Sequence, residues 1–246
     1  MSITVTSSPP RPTVDRHIAP HPASTADAPT ARGRARWPLW SFVGAGTGLV
    51  ASFLAYPALE EEDYTKGVEV VDKLEAGPYR VSFILGLVSI GCLMVAAAGW
   101  RRWAEARAPR DLAARIVGQG IALTTTVMVI FYGIVGAMGL YLHGGVEYGE
   151  TMSREGLFVN HILLDFGVLL GWWGVAAAAV AMAVMAFRRN RLVPRWMGVV
   201  SVLLLLPPVG LAVGTSLPGL VGFFMPIWLA VISLGMVFSR TADAAA

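Results

Sequence analysis

Six long apolar blocks separate the charged residues of this sequence, and they constrain its fold more than any other feature. A helix needs about 20 apolar residues to cross the hydrocarbon core of a bilayer, and each block is close to that length. Charged residues make up only 14% of the chain, against about 25% in an average soluble protein. The sequence therefore predicts an all-α fold, a polytopic membrane helical bundle with six transmembrane helices. We place these helices at residues 37–59, 79–100, 116–141, 158–187, 197–213 and 217–238.

The remaining chain divides into two tails around this core. Residues 1–36 contain six prolines and few large apolar side chains, a composition that cannot bury enough surface to offset the entropy of ordering. We therefore expect a disordered cytoplasmic tail at 1–36, a six-helix transmembrane domain at 37–239 and a short cytoplasmic tail at 240–246. The first block is full length and follows a long tail, so it should be an uncleaved anchor.

Orientation follows from the distribution of lysine and arginine. Fifteen of the 19 basic residues fall in the tails and in the connections after spans two and four. Basic residues accumulate on the cytoplasmic side of membrane proteins, so both termini should be cytoplasmic. The opposite connections are acidic and should face outward. Only four basic residues belong to that side: Lys66, Lys73, Arg80 and Arg154.

Several classes of function are disfavoured. The basic residues cluster at the ends of apolar blocks and form no continuous patch, which argues against a nucleic-acid partner. The acidic loop after span one lacks the spacing of a calcium loop, so we interpret it as a solvated acidic face. The single cysteine, Cys92, lies within an apolar run and is interpreted as a small core residue. We predict no metal and no cofactor, and we expect membrane lipid as a partner.

Span four contains the clearest candidate for chemistry. Asp165 lies about 10 Å inside the outer end of that span, where an ionisable group is costly and usually faces a partner or a cavity. His161 lies four residues earlier, on the same helix face, which makes the two a candidate acid/base pair. Other polar residues reach the same level and complete a predicted outward-facing pocket, with binding roles for His143, Glu147, Asn160 and Tyr141.

The pattern leaves several uses of this pocket open. The first interpretation is a protein without enzymatic activity that binds or moves a small solute or lipid. The alternative is a membrane-embedded enzyme in which Asp165 acts as an acid or base on an isoprenoid or other lipid. His143 and His161 could instead ligate a metal or haem, or Asp165 could bond His161 only to fix helix packing.

Small residues and prolines inside the spans predict details of packing. Glycines four residues apart predict close helix approach, at Gly44 with Gly48 and at Gly167 with Gly171. Prolines in spans five and six predict structural kinks, at Pro207, Pro208 and Pro226.

A short turn carries a family resemblance. Before span five the chain reads Arg-Leu-Val-Pro-Arg-Trp-Met-Gly, with Pro194, Arg195 and Trp196 at the entry. This resembles an uncharacterised family of bacterial six-helix integral membrane proteins, which have an Ile/Val-Pro-Arg-Trp turn before the fifth helix. The layout over residues 40–240 is also similar, with Arg80 opening span two. The resemblance implies a multi-pass protein of the bacterial plasma membrane, and it supplies no activity and no catalytic residues.

Overall fold

The computed structural model describes residues 36–57, 59–147 and 151–239, without the side chains of Glu61 and Tyr64. Apart from Arg36, the two predicted tails lie outside these ranges. The described chain is helical, with seven α-helices: α1 Trp37–Leu54, α2 Ala76–Arg107, α3 Leu112–Tyr141, α4 Arg154–Leu170, α5 Trp173–Phe187, α6 Arg195–Thr215 and α7 Val221–Phe238. Short 3-10 helices lie at Glu61–Thr65, Gly67–Lys73 and Pro218–Leu220.

Six helical stretches of the described chain are long and apolar enough to cross a membrane. They coincide with the six predicted spans, and α4 and α5 together form the fourth. The predicted fold class is therefore confirmed. We name the two ends of the bundle by their connections: the acidic end carries residues 60–75, 142–147 and 151–153, and the arginine end carries 101–111 and 188–194. The placement of both termini in the cytoplasm stays a prediction.

Span four lies at the centre of the bundle and is the most buried of the six. The first three spans pack in chain order, α1 against α2 and α2 against α3. Helix α5 packs against α3, α6 and α7, and α7 returns to α1 to close the bundle. Large side chains fill the centre without exposure, among them Trp172, Trp228 and Met182.

Both predicted glycine faces are contact faces. A Cβ atom on Gly44 would meet Leu93 and Cys92 of α2, and one on Gly48 would meet Ser89 and Trp172. In span four, Gly167 lies against Phe131 of α3 and Gly171 lies against Met128. Cys92 is buried as predicted. The absence of side chains at these glycines lets the helix backbones approach closely.

Span four is interrupted within the bundle, a feature that no local sequence pattern indicates. Helix α4 ends at Leu170 and α5 begins at Trp173. The amide of Trp172 bonds the carbonyl of Leu169 at 3.2 Å, three residues back, so a tight turn joins the two helices. Helices α6 and α7, by contrast, continue through their prolines.

Candidate ligand site at the acidic end

The connection from α3 to α4 crosses the acidic end of the bundle. Beyond the end of α3 at Tyr141, the carbonyl of His143 accepts a hydrogen bond from the amide of Ala76 at 3.1 Å. That bond joins the connection to the start of α2. Gly144 has φ of +78°, a left-handed conformation that favours glycine and turns the chain. The Ser153 hydroxyl then caps α4 by accepting from the amide of Gly156 at 3.2 Å.

A pocket of about 250 Å³ lies where the 3-10 helix Gly67–Lys73 covers the ends of α3 and α4. One part of its wall is apolar and the other part is charged or polar. The lining residues are Val71, Asp72, Tyr141, Leu142, His143, Met152, Arg154 and Leu157.

The charged part of this wall is an ion pair between Arg154 and Asp72. Both side chains are more than half exposed, at 53% and 64%, so the pair is hydrated and should contribute only about 0–1 kcal/mol to stability. A guanidinium has five N–H donors in a fixed plane. Arg154 therefore keeps donors for a ligand while it holds Asp72.

The structure brings three of the predicted binding residues to this pocket or its wall. Tyr141 and His143 line it directly. The side-chain amide of Asn160 lies 3.5 Å from the sulfur of Met152, a lining residue. Glu147 is half-buried, its amide bonds the carbonyl of Leu140 at 3.2 Å, and it is not among the described residues that line the pocket.

The candidate pair lies deeper in α4. His161 is buried, at 7% exposure, and Asp165 is half-buried one turn further along and acts on it electrostatically. Leu157, on the pocket wall, precedes His161 by one turn on the same helix face. Neither His161 nor Asp165 is among the described lining residues. The joining of this pair to His143 or Glu147 stays a prediction.

Arg154 and Asp72 were not among the predicted site residues, because the sequence pattern assigns them only to loops. The sequence does contain one signal for them, because only four basic residues belong to this end. In the structure each of these four side chains bonds a specific acceptor. Lys66 and Lys73 both bond Asp63, the Nε of Arg80 bonds the carbonyl of Gly139 at 2.9 Å, and Arg154 bonds Asp72.

Asp63 departs from the predicted solvated acidic face. Its side chain is only 3% exposed, and Lys66 Nζ and Lys73 Nζ lie 2.7 Å and 2.6 Å from its Oδ1 atom. Its other oxygen accepts from the amide of Glu60 at 3.3 Å. The hydrogen bonds from Lys66 and Lys73 lower the pKa of Asp63 to about 2. The cluster therefore fixes the loop that carries the pocket residues Val71 and Asp72.

No three His, Cys, Asp or Glu side chains converge as metal ligands among the described residues. The pocket offers the chemistry of its ion pair and of its apolar wall. It can hold an acidic group at Arg154, a basic group at Asp72 and a small apolar body between them.

Comparison with known protein families, with curated proteins and with solved structures gives no match to this chain. The resemblance to a bacterial six-helix family therefore stays a prediction.

Proposed function

We propose that this protein is a multi-pass protein of the bacterial plasma membrane that binds a small amphipathic molecule at its outer face. The ligand class is a molecule with an acidic group beside a short apolar part, either a free solute or a lipid head group. The observation that carries this proposal is the hydrated Arg154–Asp72 pair at the wall of a partly apolar pocket.

The chemistry of the pocket favours such a ligand. Arginine binds carboxylate and phosphate through two parallel hydrogen bonds, which are stronger than bonds between neutral groups. Val71, Met152 and Leu157 would bury the apolar part of the ligand. The volume of about 250 Å³ lies just below the usual range for small-molecule pockets of about 300–1,000 Å³. The ligand should therefore be small.

The enzyme alternative rests on Asp165 and His161. A catalytic acid must lie within hydrogen-bond reach of the group it protonates. These two residues lie one and two turns deeper than Leu157, which supports binding over catalysis as the first proposal. The enzyme alternative is tested separately by substitution of Asp165, the half-buried carboxylate of span four.

The proposal is tested by small molecules that copurify with the full-length protein in detergent. We expect mass spectrometry of the extracted protein to find an acidic small molecule at near-equimolar amount. The Arg154→Gln variant should not retain that molecule, because the substitution removes the charged guanidinium group. Arg107→Gln removes an exposed charge at the arginine end and serves as the matched control. Equal retention by both variants, or no bound molecule on the unaltered protein, would overturn the proposal.

A further inference from the structure

A second cavity lies at the other end of the bundle, on the surface between α3 and α5. It is a groove of about 410 Å³ whose wall is almost wholly apolar. Alanines at its base leave the space open: Ala113 on α3, and Ala177 and Ala181 on α5. The groove ends at Arg188, the residue that follows α5.

The groove follows from how α3 and α5 cross. A Cβ atom on Gly120 would clash with the carbonyl oxygen of Gly174, and one on Gly174 would clash with that of Gly120. The two backbones therefore touch at this point. Towards the arginine end the facing residues include alanines in place of these glycines, with larger side chains at the sides. An open groove therefore runs along the surface of the helix pair, where larger side chains would have filled the space.

The groove opens to the membrane and not to the interior of the bundle. Three side chains of its wall are substantially exposed: Leu112 at 67%, Val180 at 49% and Val184 at 40%. They belong to helices long and apolar enough to cross a bilayer. A hydrocarbon chain is therefore the occupant that matches both the wall and the surroundings.

The end of the groove at Arg188 is charged instead of apolar. Arg188 is half-exposed and its Nη1 atom donates to Asp111 Oδ2 at 2.7 Å. The two connections at this end contain seven arginines and two carboxylates. Basic pockets between transmembrane helices on the cytoplasmic side bind the head groups of anionic lipids. The charge at this end thus complements a phosphate whose chain enters the groove.

We propose that the groove between α3 and α5 is a binding site for an anionic phospholipid. One acyl chain lies along Ala113, Ala177 and Ala181, and the phosphate bonds Arg188. The guanidinium has enough donors to hold both Asp111 and a phosphate oxygen. This site is separate from the pocket at the acidic end and does not depend on the function proposed for it.

The test compares phosphatidylglycerol with phosphatidylcholine of the same acyl chains, titrated onto the full-length protein in detergent. Native mass spectrometry counts the bound lipids, and the lipid-dependent rise in melting temperature gives an apparent affinity. We expect the anionic lipid to bind more tightly than the zwitterionic one. Equal affinity for the two would overturn the proposal.

Two pairs of variants locate the site. Arg188→Gln should weaken phosphatidylglycerol binding about fivefold, the effect of one interfacial basic residue, and Arg189→Gln should change it far less. Ala177→Phe should fill the groove and abolish binding, whereas Val199→Phe, at an exposed position of α6, should not. If each variant and its control weaken binding equally, the attraction is diffuse and the site is rejected.

A further variant separates lipid binding from the ion pair. Asp111 caps α3 by accepting from the amide of Ala114 at 3.0 Å, and asparagine is an equally good cap. Asp111→Asn therefore keeps the helix start but releases Arg188. We expect lipid binding to stay the same or tighten. Weakening as strong as that of Arg188→Gln would mean that the ion pair alone matters, and it would overturn the proposal.

Discussion

The hydroxyl of Thr124 on α3 accepts a hydrogen bond of 3.0 Å from the amide of Val175, just after the interruption in span four. Both residues are buried in the bundle. In a membrane interior an unpaired amide costs several kcal/mol, because no water is available to replace the lost bond. A side chain of span three thus stabilises the broken backbone of span four.

Replacing Thr124 with valine should test this bond. The substitution keeps the shape of the side chain but leaves the Val175 amide without its acceptor. We expect a loss of about 1–3 kcal/mol in the free energy of unfolding, measured in mixed detergent micelles. Thr126→Val is the matched control, because Thr126 is exposed and its hydroxyl bonds the carbonyl of Ala122 in its own helix. Equal losses in the two variants would contradict this role.

The six spans were predictable and the interruption was not, for a physical reason. Long apolar blocks reflect the thickness of the bilayer directly, and each span begins within four residues of its predicted position and ends within seven. The interruption at Gly171 and Trp172 has no proline nearby. The amide of Val175 beyond it bonds Thr124, 51 residues earlier in the chain, and a local pattern carries no information on such a partner.

The candidate site was predictable only in part. Polar residues at span ends indicated the acidic end, and Tyr141 and His143 do line the pocket there. Asp72 and Arg154 are 82 residues apart and lie in connections without regular spacing. Their pairing depends on how the 3-10 helix Gly67–Lys73 folds over α4. Sequence spacing does not determine that tertiary contact.

Gly48 should tolerate no side chain. An added Cβ atom would lie 2.6 Å from the Ser89 oxygen and 2.8 Å from a ring carbon of Trp172. Ser89 is already held by its hydrogen bond to the carbonyl of Gly44 at 2.7 Å, so it cannot move freely. We expect Gly48→Ala to lower the free energy of unfolding by about 1–3 kcal/mol through overpacking. Gly46→Ala on the same helix, with open space around it, should be neutral or slightly stabilising in the same unfolding measurement, because alanine is the better helix former.

The cluster at Asp63 predicts sensitivity to acid. Its pKa lies at about 2 in the folded protein against an ordinary value of 3.8, because the ammonium groups of Lys66 and Lys73 favour the carboxylate. A lowered pKa gives a stabilisation that is complete above pH 3.8 and is lost as the pH falls towards 2. Hydrogen exchange of residues 61–73, corrected for the intrinsic pH effect, should therefore accelerate over that range.

Two variants check the source of this acid effect. Asp63→Asn should give fast exchange at neutral pH, because the lysines lose their acceptor at every pH. Glu62→Gln removes an exposed carboxylate of the same loop and should leave the acid profile unchanged. A profile for Asp63→Asn that matches the unaltered protein would contradict the assignment. At the alkaline end, the bond to Asp63 raises the pKa of Lys73 above its ordinary 10.5, so this contribution is complete below pH 10.5 and is lost as the pH rises through the raised pKa.

Orientation in the membrane is open to direct labelling. The excess of arginine at one end predicts that this end is cytoplasmic. Cysteine in place of Glu62 should react with a membrane-impermeant reagent in intact cells, and cysteine in place of Arg107 should react only after the cells are opened. The native Cys92 is buried and contributes little background. Labelling of the 107 position from outside would reverse the predicted topology.

The pair of His161 and Asp165 separates the two proposed functions. A lipid-facing aspartate at this depth would cost about 2–3 kcal/mol, and Asp165 is half-buried beside the face that carries the buried His161. We expect Asp165→Asn to lower the melting temperature slightly and to leave the molecule bound near Arg154 in place. Glu105→Gln, which removes an exposed carboxylate at the arginine end, should change neither measurement. If Asp165→Asn abolishes binding or turnover while the protein folds and inserts normally, the carboxylate acts on the ligand itself. Loss of turnover would favour the membrane-embedded enzyme, whereas loss of binding alone would place Asp165 among the ligand-binding residues. A merely structural carboxylate would affect stability and neither of these.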